Sequence, residues 1–373
     1  MAIIDLHTKP FDEQTLTKLE LFEDYAKEWI PTFVMSGCSS IWIFDFFAGP
    51  GYDLNSIAGS PIRILKQVEA QIGNIFTKQV RVNICLNEYE KDKYDMLKFA
   101  CEKLLCGNPN MGRAMKSGWL NIEYYNEDFT DLFPKLLPRI KKNPSLVYID
   151  QNGLRFLADN YLLELEKTST TDFLFYASSS FLLRFGKTPE FQHCLSLDFD
   201  AFRNNKPKYV HQELLAQLRN KLPSTTNLSL YPFTIKKRTN YYGIIFGASH
   251  PRAVDKFLKT AWKKNEINGA ANFDIDEDRK KAQLDLFEGK SLTKIERFQK
   301  LFKEKVLSGE IRTNKEAYNY VLEEGHIPQH AAEVIRNLKK DGLITYYAPQ
   351  PLISYEKVYG RKQKTITYQL TRQ

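Results

Sequence analysis

The sequence predicts an α/β fold, a doubly wound and mostly parallel sheet, followed by a winged helix-turn-helix domain toward the C-terminus. Three observations carry this reading. Short apolar runs alternate with amphipathic helical stretches through residues 1–264, the first run breaks into a glycine loop, and after residue 290 the pattern changes to three helices and two strand-like runs. The 373 residues suit two or three domains, and 43% hydrophobic content supplies each with a core. No apolar run approaches the roughly 18 residues that a membrane helix needs. The first residues hold no basic cluster ahead of an apolar stretch, so an intracellular, cytoplasmic protein is expected.

Taken in order, Leu16, Leu19, Phe22, Tyr25, Ala26 and Trp29 recur at helical spacing, which predicts a helix over 12–30. The run 40–47 reads as a buried strand closed by Ala48-Gly49-Pro50-Gly51. Ser60-Pro61 is a helix start, with Ser60 as N-cap and a helix to about residue 72. Strands follow at 80–86, 120–125, 146–149 and 173–177, with helices at 91–105, 129–140 and 160–167 between them. Residues 181–232 read as helices covering one end of the sheet; 241–248 is an aromatic-rich strand and 251–264 a helix. Residues 265–290 lose periodicity and gain charge, the mark of a linker. Helices at 291–307, 314–324 and 329–340, then strand-like 343–347 and 365–370 around a basic turn, complete a winged-helix domain over 291–373.

Five cysteines (Cys38, Cys85, Cys101, Cys106 and Cys194) form no C-x-x-C pair and have no histidine at zinc-finger spacing, so neither a disulfide framework nor a metal site is expected. The net charge is +8, of which residues 291–373, with 15 Lys/Arg against 9 Asp/Glu, hold +6. A basic tail suits a polyanion, DNA in the first instance. Arg336, Lys339 and Lys340 share one face of the third tail helix, and Arg361, Lys362 and Lys364 belong to the wing, so these six are the candidate nucleic-acid contacts.

Four strands of the first domain end near an acid: Asp45, Glu88, Asp128 and Asp150. Ligands of open parallel sheets bind beyond these carboxyl ends, where the four can converge. Gly49 and Gly51, with Phe47 in the same loop, let a ligand approach the backbone, and Glu88 is placed to accept hydrogen bonds from ribose hydroxyls. The dinucleotide fingerprint fails at Leu54, and no Gly-Lys-Ser/Thr follows the loop. A cofactor with a sulfonium, an ammonium and a ribose but no phosphate suits such an acidic loop, which points to S-adenosylmethionine. Asp128 is expected at its adenine amino group. Taken singly, each of these acids is as well explained as a cap of a loop or helix.

Residues 15–29, the loop Asp45-Phe46-Phe47-Ala48-Gly49-Pro50-Gly51, Gly59-Ser60-Pro61, Tyr241-Tyr242-Gly243-Ile244-Ile245-Phe246 and the helix up to Trp262 resemble the three-Cys-motif partner family over most of residues 8–290. The glycine loop is also that of class I methyltransferases. The resemblance implies a methyltransferase-like domain of class I type working beside a radical-SAM-type partner, which carries the three cysteines of the name. The departure is at the fourth strand, where Asp150-Gln151-Asn152-Gly153 stands in place of Asp-Pro-aromatic-Gly. Asp150, and with it Asn152, would orient an amine acceptor, with Phe156 as a substitute for the missing aromatic; a base would have to be single-stranded or flipped to reach them. The alternative is a catalytically silent scaffold that binds nucleic acid and recruits a partner.

In the charged stretch, Gln283-Leu284-Asp285-Leu286-Phe287 resembles the pentapeptide with which bacterial DNA-processing proteins dock on the replication sliding clamp. Gln283, Leu284, Leu286 and Phe287 would fill the clamp's pocket. The competing reading packs the same apolar residues on this protein's own core.

Overall fold

Side chains alternate across a strand, so each strand of a two-sided sheet must satisfy two different helix layers. A computed structural model of the chain describes residues 10–151, 159–178, 182, 188, 197–283 and 291–371. It divides into two units, Met1–His250 and Pro251–Gln373. The boundary expected at residue 264 therefore falls earlier, and the helix over 251–264 belongs with the C-terminal unit.

The first unit contains strands β1 (Ser40–Asp45), β2 (Arg81–Asn87), β3 (Leu120–Tyr125), β4 (Ser145–Ile149), β5 (Thr171–Ser178), β6 (Ser229–Lys237) and β7 (Asn240–Ala248). They form one sheet in the order β3-β2-β1-β4-β5-β7-β6. Strands β1 to β5 are parallel, and β7 runs antiparallel to both β5 and β6. Helix α1 (Glu13–Val34) is capped by Asp12, whose Oδ1 accepts from the Thr15 amide at 2.9 Å. It is followed by α2 (Ser60–Ala70), α3 (Ile72–Lys78), α4 (Lys91–Cys106), α5 (Pro109–Lys116), α6 (Phe129–Lys142), α7 (Asp159–Glu166), α8 (Phe199–Asn204) and α9 (Val210–Lys221).

Phe44, Val147, Ile149, Phe173, Phe175 and Ala177 point to the layer of α6 to α9. The intervening residues face α1: Phe22 stacks on Tyr148 with ring centroids 3.9 Å apart, and Tyr25 donates to Asp172 at 2.6 Å. The same alternation carries Asp150, two residues after Tyr148, toward α1.

Several local expectations are corrected. The cap of α2 is Gly59, not Ser60, whose hydroxyl instead reaches Asp45. Strand β6 occupies part of the stretch read as helical. It carries Pro232, which lacks an amide hydrogen and is tolerated because β6 is an edge strand.

The C-terminal unit begins with α10 (Pro251–Lys264) and α11 (Asp278–Gln283). The residues up to 283 form a folded collar where a linker was expected. The Asn265 side chain donates to the carbonyls of Ala271 at 2.9 Å and Phe273 at 3.0 Å, and Ala271 and Ile275 are buried. Three helices follow: α12 (Lys294–Leu307), α13 (Asn314–Glu323) and α14 (Pro328–Lys340). The first two start at full capping boxes, Thr293 with Glu296 and Thr313 with Glu316. Phe298, Phe302, Tyr318, Val321, Ile335 and Leu338 fill the space between them. Strands β8 (Ile344–Thr345) and β9 (Gln369–Leu370) pair antiparallel, and a short helix α15 (Tyr355–Val358), absent from the sequence reading, interrupts the wing.

Candidate functional site

Sheet order reverses between β1 and β4, so the loops leaving these strands diverge and open a crevice. The loop after β1 is bound to its neighbours through the backbone: the Phe46 amide donates to Tyr148 O at 3.2 Å and the Ala48 amide to Asn87 O at 2.9 Å. The buried Asn87 side chain donates to Phe46 O and Glu127 O, each at 3.1 Å, and ties together the ends of β1, β2 and β3. Gly51 has φ +93°, and a Cβ there would lie 2.9 Å from that of Ala100 on α4. Only glycine fits both demands. The Gly59 amide donates to Gly51 O at 2.8 Å, and the Asp53 carboxylate accepts from the Asn55 and Ile57 amides at 2.9 and 2.7 Å, so the loop arrives at α2 already folded.

Within the crevice lies a cavity of about 400 Å³. Phe47, Gly51, Glu88, Asp128 and Asp150 all line it, as the strand-end argument expects. Glu88 Oε2 accepts from the Gly49 amide at 3.1 Å and Oε1 from the Glu90 amide at 2.9 Å. Gly49 thus acts through Glu88, without lining the cavity itself. Burial raises the Glu88 carboxyl above its ordinary range, opposed by the backbone amides and the Lys93 charge. Asp128 has two roles at once: it lines the cavity and caps α6, accepting from the Thr130 amide at 2.8 Å and hydroxyl at 2.6 Å.

Asp45 lies beneath the cavity, 1% exposed, and does not line it. Burial raises its carboxyl to about 7; the Ser60 hydroxyl and Phe47 amide oppose the rise, while the charges of Asp150 and Glu88 add to it. Its Oδ2 has no hydrogen-bond partner among the described residues. Asp150 is ion-paired: Lys18 Nζ lies 2.5 Å from its Oδ2, with the two side chains only 10% and 16% exposed. The same ammonium sits 4.4 Å from the centre of the Tyr176 ring, and Gln14 donates to the Tyr176 hydroxyl. Asn152 and Phe156 lie outside the described residues.

Sequence reasoning missed Lys18, although a signal was present. Gln14, Lys18, Phe22, Tyr25 and Trp29 form one buried stripe of α1, and a lysine on such a stripe requires a buried partner. Among the described residues, five carboxylates line the cavity (Glu88, Glu90, Glu127, Asp128 and Asp150) against the cations Lys18 and Lys93. This excess of acid disfavours a phosphate-bearing ligand and favours a cationic one.

In the C-terminal unit, Arg336, Lys339, Lys340, Arg361, Lys362 and Lys364 are all exposed. Lys339 is nonetheless engaged, donating to Tyr346 O at 3.1 Å and Ala348 O at 3.4 Å. Of the clamp-like pentapeptide, Gln283 ends α11, and Leu284, Leu286 and Phe287 lie outside the described residues. Three helices followed by an antiparallel pair form the winged helix-turn-helix expected from the sequence.

Residues 272–351 match the GMT-like wHTH domain. The match begins inside the collar and ends before α15 and the basic residues of the wing. It covers less than a quarter of the chain and leaves the first unit unassigned. No curated protein matches this sequence. Among the described residues, no helix is long and apolar enough to cross a membrane, and no group of three or more His, Cys, Asp or Glu side chains is arranged to hold a metal ion.

Proposed function

We propose that the first unit is an S-adenosylmethionine-binding, class I methyltransferase-like domain acting on nucleic acid, with the winged helix as its nucleic-acid contact and a radical-SAM-type protein as its partner. The acid-lined cavity at the switch point, with Glu88 clasping the glycine loop, carries this reading. A seven-stranded sheet with an antiparallel β7 between β5 and β6 is the arrangement expected of class I methyltransferases, and it supports the same conclusion. The residues present fit the cofactor. Gly51 leaves room for close approach, the surplus carboxylates suit its sulfonium and ammonium, and Glu88 retains lone pairs for ribose hydroxyls after accepting one amide on each oxygen. When bound, the cofactor supplies an activated methyl group. The chain's own part is to hold the acceptor: Asp150 would orient an amine beside the cavity.

The Lys18–Asp150 pair favours a second reading. An ammonium already occupies the carboxylate that an acceptor amine would need, as expected of a catalytically silent scaffold that keeps cofactor and nucleic-acid binding without transferring a methyl group.

Calorimetric titration with S-adenosylmethionine and its demethylated product tests the cofactor. Glu88→Ala should cost about 1.5–3 kcal/mol of affinity, the range for a hydrogen bond to a charged group. Glu90→Ala, which removes a rim carboxylate paired to Lys93, should cost far less. Equal affinity in wild type and Glu88→Ala would sink the assignment. For the tail, replacing Arg361, Lys362 and Lys364 together by Gln should reduce the slope of log affinity against log salt on duplex DNA by roughly two to three. Fluorescence anisotropy at several salt concentrations reads it, and an unchanged slope removes the wing from the phosphate track.

A further inference from the structure

The most exposed of the large apolar and aromatic side chains among the described residues is Tyr347, at 91%. It lies two residues beyond the wing strand β8, and its backbone is fixed on both sides. Lys339 Nζ donates to the carbonyls of Tyr346 and Ala348, the residues flanking it, and sits 3.9 Å from the centre of the Tyr346 ring. Tyr346 is itself buried against Tyr368, edge-on at 5.6 Å. Lys339 therefore serves as a staple, and the ring between its two acceptors is turned outward on a held segment. A tyrosine presented in this way loses little conformational freedom on binding.

Its surroundings are basic. Arg336, one turn before Lys339 on α14, is close enough for its charge to act on the Tyr346 phenol, and Lys340 is adjacent in the chain. Neither Arg336 nor Lys340 makes an ion pair among the described residues, so both are available to an anionic partner. An outward aromatic ring on a segment stapled to a helix that carries free cations matches a polyanion that also offers flat rings. Nucleic acid does so, but only where a base is unpaired, because inside a duplex both faces of each base are covered by its neighbours.

We infer that Tyr347 is a base-stacking contact of the winged-helix unit, that Arg336 and Lys340 hold the flanking phosphates, and that the unit takes nucleic acid with unpaired bases, at an overhang, an opened stretch or a single strand. Lys339 is a positioning residue and not a phosphate contact, which revises the role expected of it from sequence. This inference rests on the nucleic-acid reading above and narrows its substrate class.

Anisotropy of the full chain with three fluorescent probes of matched sequence (single strand, blunt duplex, and duplex with overhang) tests it. Tyr347→Ala should weaken single-strand and overhang binding about 5- to 150-fold, the range of one base–aromatic stack, and leave the duplex nearly unchanged. Tyr347→Phe should retain wild-type affinity. On the single strand, Lys340→Gln should reduce the salt slope by about 0.7, whereas Lys339→Gln should leave the slope unchanged while weakening the stacking signal of a 2-aminopurine probe. Wild-type affinity of Tyr347→Ala for every probe overturns the inference while leaving the nucleic-acid reading intact. Equal loss on all three probes overturns it as well, since a general contact would have replaced a stack. A wild-type chain that binds none of the probes removes both and leaves a protein partner for this face.

Discussion

Lys18→Met is expected to lower the stability of the first unit by about 3–5 kcal/mol, the cost of leaving a buried charge without its partner. The methionine keeps the unbranched apolar stem but strips the ammonium from Asp150, which is 16% exposed and already near the buried Asp45 and the half-buried Glu88. The surviving carboxylate is then left without its counter-charge among like charges, which is unfavourable. Replacing both partners, as in Lys18→Met/Asp150→Leu, should recover most of the loss, because apolar groups of similar volume replace a buried pair at little cost. Urea unfolding of the three chains measures this. A loss under about 1 kcal/mol in the single variant would mean that the pair behaves as a solvated surface bridge. A further variant separates the two functional readings: if the domain transfers a methyl group, Asp150→Asn abolishes turnover while cofactor binding survives.

That pair also shows where the sequence stopped being legible. Periodicity located α1 and β4 within a few residues, and the strand-end rule brought Glu88, Asp128 and Asp150 to one cavity. What it could not supply was the side to which Asp150 points. That depends on the pleat of β4 relative to the helix layer above it, which places Tyr148 under Phe22 and hence Asp150 under Lys18. Asp45 failed as a lining residue for the same reason: as the last residue of β1 it turns into the layer beneath the crevice and meets Ser60, not solvent.

The collar was unreadable for a different reason. Its stability comes from Asn side chains bonded to backbone carbonyls and from Gly269, at φ +55°, where a Cβ would clash with the Trp262 ring. None of these leaves an apolar period. Strand β6 was hidden by Pro232, and α15 by its length of four residues; the two wing strands were read in place, but longer than the two residues each that pair. The three helices between them were plain because their capping boxes and apolar stripes agree with the tertiary packing.

The C-terminal unit should lose stability on mild acidification, whereas the first unit should hold. In the C-terminal unit, His326 stacks on Phe298 at 4.1 Å, His330 meets Trp262 edge-on at 4.5 Å, and the two Nδ1 atoms are 3.0 Å apart. One ring must donate and the other accept, so doubly protonated rings would set two N–H groups against each other. Burial lowers His326 to about 2, aided by the charge of Lys294; burial lowers His330 to about 4, opposed by Glu333. Below the unfolded value near 6.5, the unfolded chain therefore binds protons that the native unit refuses. Stability falls with pH from about 6.5 to 4, at up to about 1.4 kcal/mol per pH unit for each histidine. Asp255, raised by burial, acts in the opposite direction and offsets part of this. In the first unit, burial lowers His211 to about 4, but Asp45 and Asp172, both raised to about 7, bind protons in the native state first and gain stability between 7 and 3.8. Hydrogen exchange at pH 7 and pH 5, corrected for intrinsic rates, should show the amides of α12 and α14 losing protection while those of α1 and β4 keep theirs. His326→Phe/His330→Leu should flatten the response of the C-terminal unit, because the groups that take up protons on unfolding are gone. Parallel loss of protection in both units, or an unchanged response in the double variant, would show that the histidine pair is not the source.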